Sequence, residues 1–394
     1  MFQQIITDGG VSAPEGFFSS GVSAGLKNDE KLDLGFIYSD KISNVGAVFT
    51  SNKFKASPLK HYIQNDIKQT NFILANSKNA NAMTGEKGIS DIEEILQELS
   101  KKLPIENPIM SSTGVIGVHL PVEKIVKGAE KFDLSRKESD LFAQSIMTTD
   151  AYKKEIAVKV ILRDGREYSI GGVAKGAGMI NPSMATMLAF ITTDLDIPSD
   201  EIVKILREVS HTTFNAISVD GDTSTNDSVF LMANGKKNFY DEYSFKSSLK
   251  IVMEYLALQI VKDGEGAKKL AKFSIVGART DCEAEKVAKT LSDSLLVKTA
   301  LFGEDPNWGR IAMGIGASGA EVSEENLTIA YNDVKVYEKG KNLFDDEVEK
   351  EAFKVLQKRE FTINCDLGVG NGKFSSYGCD LGYEYVKINA DYRT

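Results

Sequence analysis

The sequence predicts a mixed α/β fold, since short β-type runs alternate with amphipathic helices along its 394 residues. Apolar residues make up 42% of the chain, enough to bury a substantial core. The sequence contains no internal repeat, low-complexity tract or Pro- or Ser-rich linker. We therefore expect one large domain or two medium domains of the α/β (α+β) class.

Helices are predicted where apolar residues recur at helical spacing. The clearest stripe covers residues 90–102, with apolar side chains at 92, 95, 96 and 99 and an N-cap at Ser90. We interpret it as a surface helix packed on a core. Further helices are predicted over residues 200–209, 244–261, 283–297 and 346–358.

Strands are predicted for short runs rich in β-branched and aromatic residues. These runs are residues 72–75, 156–162, 187–191, 229–232, 273–276 and 327–330. Residues 163–166 read Arg-Asp-Gly-Arg, and Asp-Gly favours the tight turn of a β-hairpin. The alternation over residues 383–388 predicts one more short strand near the C-terminus.

Two glycine patterns resemble nucleotide-binding motifs only in part. Residues 314–319 match GxGxxG, but the flanking sequence lacks the strand and helix of a dinucleotide fold, so we predict a glycine-rich turn between strands. Residues 368–373 have shortened glycine spacing, and Phe374 stands where a phosphate loop needs Ser or Thr. We predict a hairpin or a loop there.

Composition argues against several classes of protein. Acids and bases are interspersed at a net charge of −9, so no basic face is available for nucleic acid or anionic lipid. The three cysteines and three histidines lack metal-site spacing, and an odd number of cysteines is typical of reduced thiols. The N-terminal region has neither a basic segment nor a long apolar run. We expect a cytoplasmic protein without a metal, nucleic-acid partner or membrane partner.

A small-residue loop, KGAGMINPSMAT at residues 175–186, delivers Thr186 to the start of the predicted strand 187–191. A threonine hydroxyl needs a neighbouring base, and a cut between Ala185 and Thr186 would supply the free α-amine of Thr186. Small Ala185 and the flexible backbone of the glycines suit such a cut. From the local pattern alone, a threonine that simply opens a core strand is the better interpretation.

Seven separated segments carry a resemblance that spans residue 9 to the C-terminus. In one-letter code they are GGVSAPEGF (9–17), AVFTSN (47–52), NSKNAN (76–81), STGVIG (112–117), KGAGM (175–179), DGDTSTND (220–227) and DPNWGR (305–310). In this order and spacing they resemble the ornithine acetyltransferase family, also called the ArgJ or glutamate N-acetyltransferase family. Lys78 and Met83 stand where the family commonly has glycine and cysteine, and we expect neither to contact an assigned residue.

The resemblance implies a layered sandwich of sheets and helices of the N-terminal-nucleophile type. It also implies self-cleavage between Ala185 and Thr186. The products would be an α chain, residues 1–185, and a β chain, residues 186–394, which interleave and assemble as a heterotetramer with two copies of each.

The implied activity is transfer of acetyl from N2-acetyl-L-ornithine to L-glutamate in arginine biosynthesis. Thr186 would carry the acetyl group as an ester, and its α-amine, with a reference pKa of about 7.7–8.0, would accept the hydroxyl proton. No cofactor is implied. Acetyl-CoA as a second donor stays open, because no recognisable CoA motif decides the matter.

By the same resemblance, Thr113 and Gly114 form the oxyanion hole, the threonine through its hydroxyl and the glycine through its backbone N–H. Without the resemblance, a glycine turn closing a strand would be preferred. The resemblance assigns substrate binding to Lys175 and Glu265, which suit a carboxylate and an ammonium respectively. A solvated surface carboxylate remains the alternative for Glu265.

Thr148, Asn389, Thr394 and Thr186 itself complete the implied substrate contacts. Residues 150–154, Asp-Ala-Tyr-Lys-Lys, depart from the family's Thr-Asp-Thr with a nearby Pro-Lys. The choice between Thr148 and its neighbour Thr149 therefore stays open.

Two other functions stay open besides acetyl transfer. An N-terminal-nucleophile amidase or aminopeptidase would use the same groups with water as the acceptor. A non-enzymatic assembly subunit would keep the fold without cutting itself. Ornithine release that ignores glutamate would favour the amidase, and an intact chain on a denaturing gel would favour the subunit.

Overall fold

The computed structural model describes residues 2–28, 30–181 and 187–391. The chain forms two compact units, each built from discontinuous segments. The first unit comprises Met1–Gly176, Pro182–Asn215 and Thr223–Ile260, and the second comprises Ala177–Asn181, Ala216–Asp222 and Val261–Thr394. Two medium-sized units correspond to the second of the two expected arrangements.

The strands confirm the predicted runs and add several others. In chain order they are β1 (Gln3–Thr7), β2 (Phe17–Val22), β3 (Leu34–Phe49), β4 (Gln69–Asn76), β5 (Ile109–Ser112), β6 (Lys154–Ile161), β7 (Glu167–Lys175), β8 (Leu188–Leu195), β9 (Ile217–Ser218), β10 (Ser228–Lys237), β11 (Leu270–Ala278), β12 (Thr328–Tyr331), β13 (Val334–Glu338), β14 (Lys341–Asn342), β15 (Glu360–Asp366) and β16 (Gly372–Cys379). The Asp-Gly hairpin is confirmed, since β6 and β7 pair antiparallel and Gly165 has a φ of 85°.

The helices complete the mixed α/β class that the sequence predicts. They are α1 (Ser57–Gln64), α2 (Gly85–Ser100), α3 (Val122–Ala129), α4 (Ser139–Ser145), α5 (Ser199–His211), α6 (Glu242–Lys262), α7 (Asp281–Asp293), α8 (Leu295–Phe302), α9 (Trp308–Ala317), α10 (Asp346–Leu356) and α11 (Tyr383–Ala390). None of the helices in the described ranges is long and apolar enough to cross a membrane.

The first unit contains a sheet of nine strands among its described residues, ordered β1-β6-β7-β8-β10-β3-β4-β5 with β2 also paired to β3. β8 pairs with β7 on one side and with β10 on the other, and β10 pairs with β3. β8 and β10 follow the predicted cut, whereas β7 and β3 precede it. The two halves of the chain are therefore interleaved within one sheet, as expected.

The central strand β8 of this sheet is buried along its whole length. All eight residues of β8 are buried, so both faces of this strand are covered by protein. Phe190 on β8 packs against Phe142 on α4 and Phe230 on β10, with ring centroids 5.3 and 5.9 Å apart. The strand that begins just after Thr186 is thus anchored along its whole length.

The second unit contains a separate sheet ordered β14-β13-β12-β15-β11-β16-β9. Its core includes the fully buried side chains of Phe273, Leu291 and Ile363. This unit carries Glu265 and the C-terminal helix α11.

Two helical predictions need correction. α2 begins at Gly85, and Ser90 lies inside it, where its hydroxyl donates to the carbonyl of Lys87 and caps nothing. The predicted helix 283–297 is two helices, α7 and α8, because Ser294 adopts an extended backbone and caps α8 by accepting from the Val297 N–H.

The predicted turn at residues 314–319 is wrong, because α9 continues to Ala317. Gly314 is a packing residue, since a Cβ there would lie 2.7 Å from Leu291 Cδ2.

The predicted strand at residues 383–388 is also wrong, since these residues form helix α11. Tyr385 and Ile388, three residues apart, share the half-buried face, while Tyr383 and Val386 are 83% and 66% exposed. The apolar residues fit the i, i+3 spacing of a helix as well as they fit alternation, so the short run was ambiguous.

Candidate active site

The predicted oxyanion segment lies at the end of β5, where Thr113 is buried and Gly114 is half-buried. β5 pairs with β4, and the Thr113 N–H continues the ladder by donating to the carbonyl of Asn76 at 3.0 Å. Gly114 has a φ of 131°, and a Cβ there would lie 2.2 Å from the carbonyl carbon of Lys78. The expectation that Lys78 avoids assigned residues is therefore wrong. Lys78 has a φ of 81°, which lies in the left-handed region and explains why glycine suits position 78.

Lys175 brings three predicted residues together at the end of β7. Its ammonium donates to the hydroxyl of Thr148 at 2.8 Å and to that of Thr113 at 3.3 Å. Lys175 is only 9% exposed, so its charge is held largely away from water. Between the two threonines that the sequence left open, the ammonium binds Thr148.

Asp150 supplies the opposite charge, and the sequence analysis did not assign it. Asp150 pairs with Lys154 at 2.7 Å, and both side chains are fully buried. Its carboxylate also accepts from the backbone N–H groups of Gly176 at 2.7 Å and Thr148 at 3.0 Å. Burial raises the pKa of Asp150, but Lys154, Lys175 and these hydrogen bonds outweigh it and hold the pKa well below its usual range. Through these two hydrogen bonds, the Asp150 carboxylate connects Gly176, the residue after β7, to Thr148.

A second amine lies in the same region and gave no sequence signal. Half-buried Lys27 donates to the carbonyls of Leu32 at 2.9 Å and Met147 at 2.8 Å. Burial lowers its pKa to about 8, although Asp33 and Asp150 oppose the shift. Lys27 and Lys175 therefore bind two successive residues, Met147 and Thr148.

Residues 226–228 join the predicted oxyanion turn to the start of β8. The side-chain amide of Asn226 donates to the carbonyl of Ser112 at 2.8 Å, one residue before Thr113. The N–H of Ser228 donates to the carbonyl of Met187 at 2.9 Å, one residue after Thr186. Between them, Asp227 is fully buried, and burial raises its pKa well above the usual value. The motif at 220–227 thus has a structural role that the resemblance did not specify.

In the second unit, Glu265 and Asn389 meet directly. The Asn389 side-chain amide donates to Glu265 Oε2 at 2.6 Å. Glu265 is only 8% exposed, so it is not a solvated surface carboxylate. Its backbone N–H donates to the carbonyl of Ala177 at 2.9 Å, and a Cβ on Gly178 would lie 2.5 Å from its carboxylate. Gly178 therefore leaves room for the Glu265 side chain.

Three predicted residues lie outside the described residues: Ala185, Thr186 and Thr394. The described neighbours of the first two are Asn181 and Met187.

Comparison with known proteins gives a consistent result. The family model described as the ArgJ family matches residues 18–394. The arginine biosynthesis bifunctional protein ArgJ of Wolinella succinogenes is 54% identical over 396 residues, covering all of both chains. That of Caldanaerobacter subterraneus subsp. tengcongensis is 43% identical over 406 residues, covering 99% of this chain and 100% of the relative. A crystal structure of the Bacillus halodurans protein of the same name is 42% identical and covers 52% of this chain and 98% of that chain, with a TM-score of 0.48.

Proposed function

The chain belongs to the ArgJ family, and on that premise we propose that it transfers acetyl from N2-acetyl-L-ornithine to L-glutamate through an ester on Thr186. One short segment carries the proposal. Asn226 binds the residue before Thr113, and Ser228 binds the residue after Thr186. The residue before the proposed oxyanion turn and the residue after the proposed nucleophile therefore bind residues that are only two positions apart in the sequence.

The first half-reaction forms the acetyl-threonine ester. The Thr186 hydroxyl attacks the acetyl carbonyl while its α-amine takes the hydroxyl proton. The resulting oxyanion accepts from the Thr113 hydroxyl and the Gly114 N–H. The amide C–N bond then breaks, and the proton held by the α-amine passes to the departing amine of ornithine. In the second half-reaction, the amine of glutamate attacks the ester, the C–O bond breaks, and the proton returns to Thr186.

Lys175 prepares the threonine hydroxyls for this chemistry. Because the ammonium donates to the oxygens of Thr113 and Thr148, each hydroxyl keeps its own hydrogen to donate to a substrate. The same ammonium suits a substrate carboxylate. Asp150 holds the end of β7 and the N–H of Thr148 in place while remaining ionised.

In the second unit, we assign the carboxylate of Glu265 to binding a substrate ammonium. Ornithine carries such a group on its side chain. Asn389 fixes the orientation of this carboxylate through the 2.6 Å hydrogen bond to Oε2.

We also propose that the chain cuts itself between Ala185 and Thr186. Scaling 43.1 kDa by length predicts fragments of about 20 and 23 kDa, residues 1–185 and 186–394. They should co-elute on native sizing, because separating them would break the β7–β8 and β10–β3 ladders. Intact-mass analysis checks the cut. Fragments that elute separately would contradict the association, and we expect two copies of each in the assembly.

Thr113→Ala should slow acetyl transfer by about 10²–10³ in kcat, because it removes one of two oxyanion donors. Thr113→Ser is the matched control, since it keeps the hydroxyl that Lys175 contacts. Steady-state kinetics of ornithine release measure the effect. If alanine and serine variants behave alike, the hydroxyl has no part in the reaction.

The amidase alternative uses the same groups with water as the acceptor. Ornithine release over many turnovers of N-acetylornithine, measured with and without glutamate, separates the two functions: transfer needs glutamate after the first turnover, whereas hydrolysis does not. The relatives are called bifunctional, which supports testing acetyl-CoA as a second acetyl donor for glutamate.

A further inference from the structure

We propose that Asp220 is a positioning residue that fixes the segment before the scissile bond and links it to the C-terminal helix α11. This inference rests on the proposed self-cleavage and acetyl transfer. Asp220 opens the motif at residues 220–227 and belongs to the second unit, as do Ala177–Asn181 and α11. Neither the resemblance nor the mechanism above gives it a role.

One carboxylate holds two successive backbone groups of the upstream segment. Asp220 Oδ2 accepts from the Met179 N–H at 2.6 Å, and Oδ1 accepts from the Ile180 N–H at 2.8 Å. The preceding residue, Val219, donates its own N–H to the carbonyl of Ile180 at 2.7 Å. Met179 has a φ of 57°, a left-handed conformation that is unfavourable for a non-glycine residue. The carboxylate therefore stabilises a backbone shape that the segment would not adopt alone.

Hydrogen bonds also hold Ala177 and Asn181, at the two ends of this segment. The Asn181 side-chain amide donates to the carbonyl of Gly221 at 3.1 Å and to Asp293 at 3.2 Å. The carbonyl of Ala177 accepts from the Glu265 N–H at 2.9 Å. The chain is thus fixed up to four residues before Ala185.

The same carboxylate binds the C-terminal helix. The Tyr385 hydroxyl donates to Asp220 Oδ2 at 3.2 Å. Burial and the nearby charge of Asp220 raise the pKa of Tyr385 far above neutrality, so it remains a donor. One helical turn later, Asn389 donates both to Glu265 and to the carbonyl of Tyr385, the latter at 3.0 Å. Two carboxylates, Asp220 and Glu265, therefore set the position of α11.

These contacts predict two separable effects. Self-cleavage requires the Thr186 hydroxyl to approach the Ala185 carbonyl, and a misplacement of about 1 Å costs roughly 10²-fold in rate. Loss of Asp220 releases the segment and so slows maturation. Loss of the Tyr385 hydroxyl releases only the helix, which leaves maturation intact but weakens substrate binding through Asn389.

The test is a time course of fragment formation, followed by kinetics on matured protein. Asp220→Ala should slow maturation between about tenfold and a hundredfold. Asp220→Asn should recover part of the rate, because its amide oxygen still accepts one N–H. Tyr385→Phe should mature at the wild-type rate and raise the KM for N-acetylornithine several-fold with kcat unchanged.

Asp222→Ala is the matched control, since it removes an equal charge two residues away on an exposed side chain. It should mature like the wild type. Normal maturation of Asp220→Ala, or equal slowing in Asp222→Ala, would overturn the inference. If the alanine variant does not fold, the Asn variant decides: maturation at the wild-type rate overturns the inference, and slowed maturation supports it. A wild-type chain that never cuts itself refutes the proposed function instead.

Discussion

Replacing Thr186 with alanine should abolish both self-cleavage and acetyl transfer, leaving a single chain of 43.1 kDa. The substitution removes the hydroxyl that attacks in both reactions, and losing a nucleophile of this kind costs on the order of 10⁶ in kcat. Without the cut, the α-amine that acts as the base is not released either. A denaturing gel and an assay of ornithine release measure the two effects.

Thr186→Ser is the matched control, because it keeps a hydroxyl at the same position and should still yield two fragments. The alanine variant should fold normally, since β8 begins after it and is buried along its whole length. Fragment formation in Thr186→Ala, with an unfolding temperature like that of the wild type, would remove Thr186 from its role.

The second large effect is on stability. Asp150→Asn should lower the free energy of unfolding by about 3–5 kcal/mol, because the buried ammonium of Lys154 loses its carboxylate partner. Acetyl transfer should fall too, since Asp150 also holds the N–H groups of Thr148 and Gly176. Urea unfolding monitored by circular dichroism measures the loss.

Two control variants identify the cause. Asp150→Asn combined with Lys154→Met should recover much of the stability, because a buried pair replaced by less polar groups is often nearly neutral. Glu98→Gln breaks the exposed pair with Lys101 and should change stability far less. An Asp150→Asn variant as stable as the wild type would show that the ion pair contributes nothing.

The direction in which the stability contribution of Asp150 changes with pH follows from its pKa. Because the folded-state pKa of Asp150 is depressed, its contribution is present above the unfolded-state pKa of about 3.9 and is lost as pH falls below it. The stability difference between wild type and Asp150→Asn should therefore be constant near neutrality and shrink below about pH 4.

Local patterns predicted much of the fold. The Asp-Gly hairpin and the strand after Thr186 follow from turn chemistry and from a short apolar run, both of which are local signals. The strand prediction for residues 383–388 was wrong because a run of six residues fits the period of a helix and that of a strand equally well. α9 was missed because one of its glycines, Gly314, serves close packing against Leu291, a contact distant in sequence.

In the candidate site, too, some residues were predicted from the sequence and others were not. Thr113, Thr148 and Lys175 were assigned by resemblance, and the structure brings their side chains together. Asp150 and Lys27 were not found, because a buried charge cannot be distinguished from a solvated one by sequence alone.

The acetyl-enzyme tests the central claim most directly. Matured protein is incubated with N-acetylornithine in the absence of glutamate, and the intact masses of its fragments are measured. We predict that the fragment beginning at Thr186 gains the mass of one acetyl group and that ornithine is released in equal amount. Adding glutamate should then discharge the fragment and form N-acetylglutamate. An unmodified fragment during turnover, or discharge that proceeds equally fast without glutamate, would contradict transfer through Thr186.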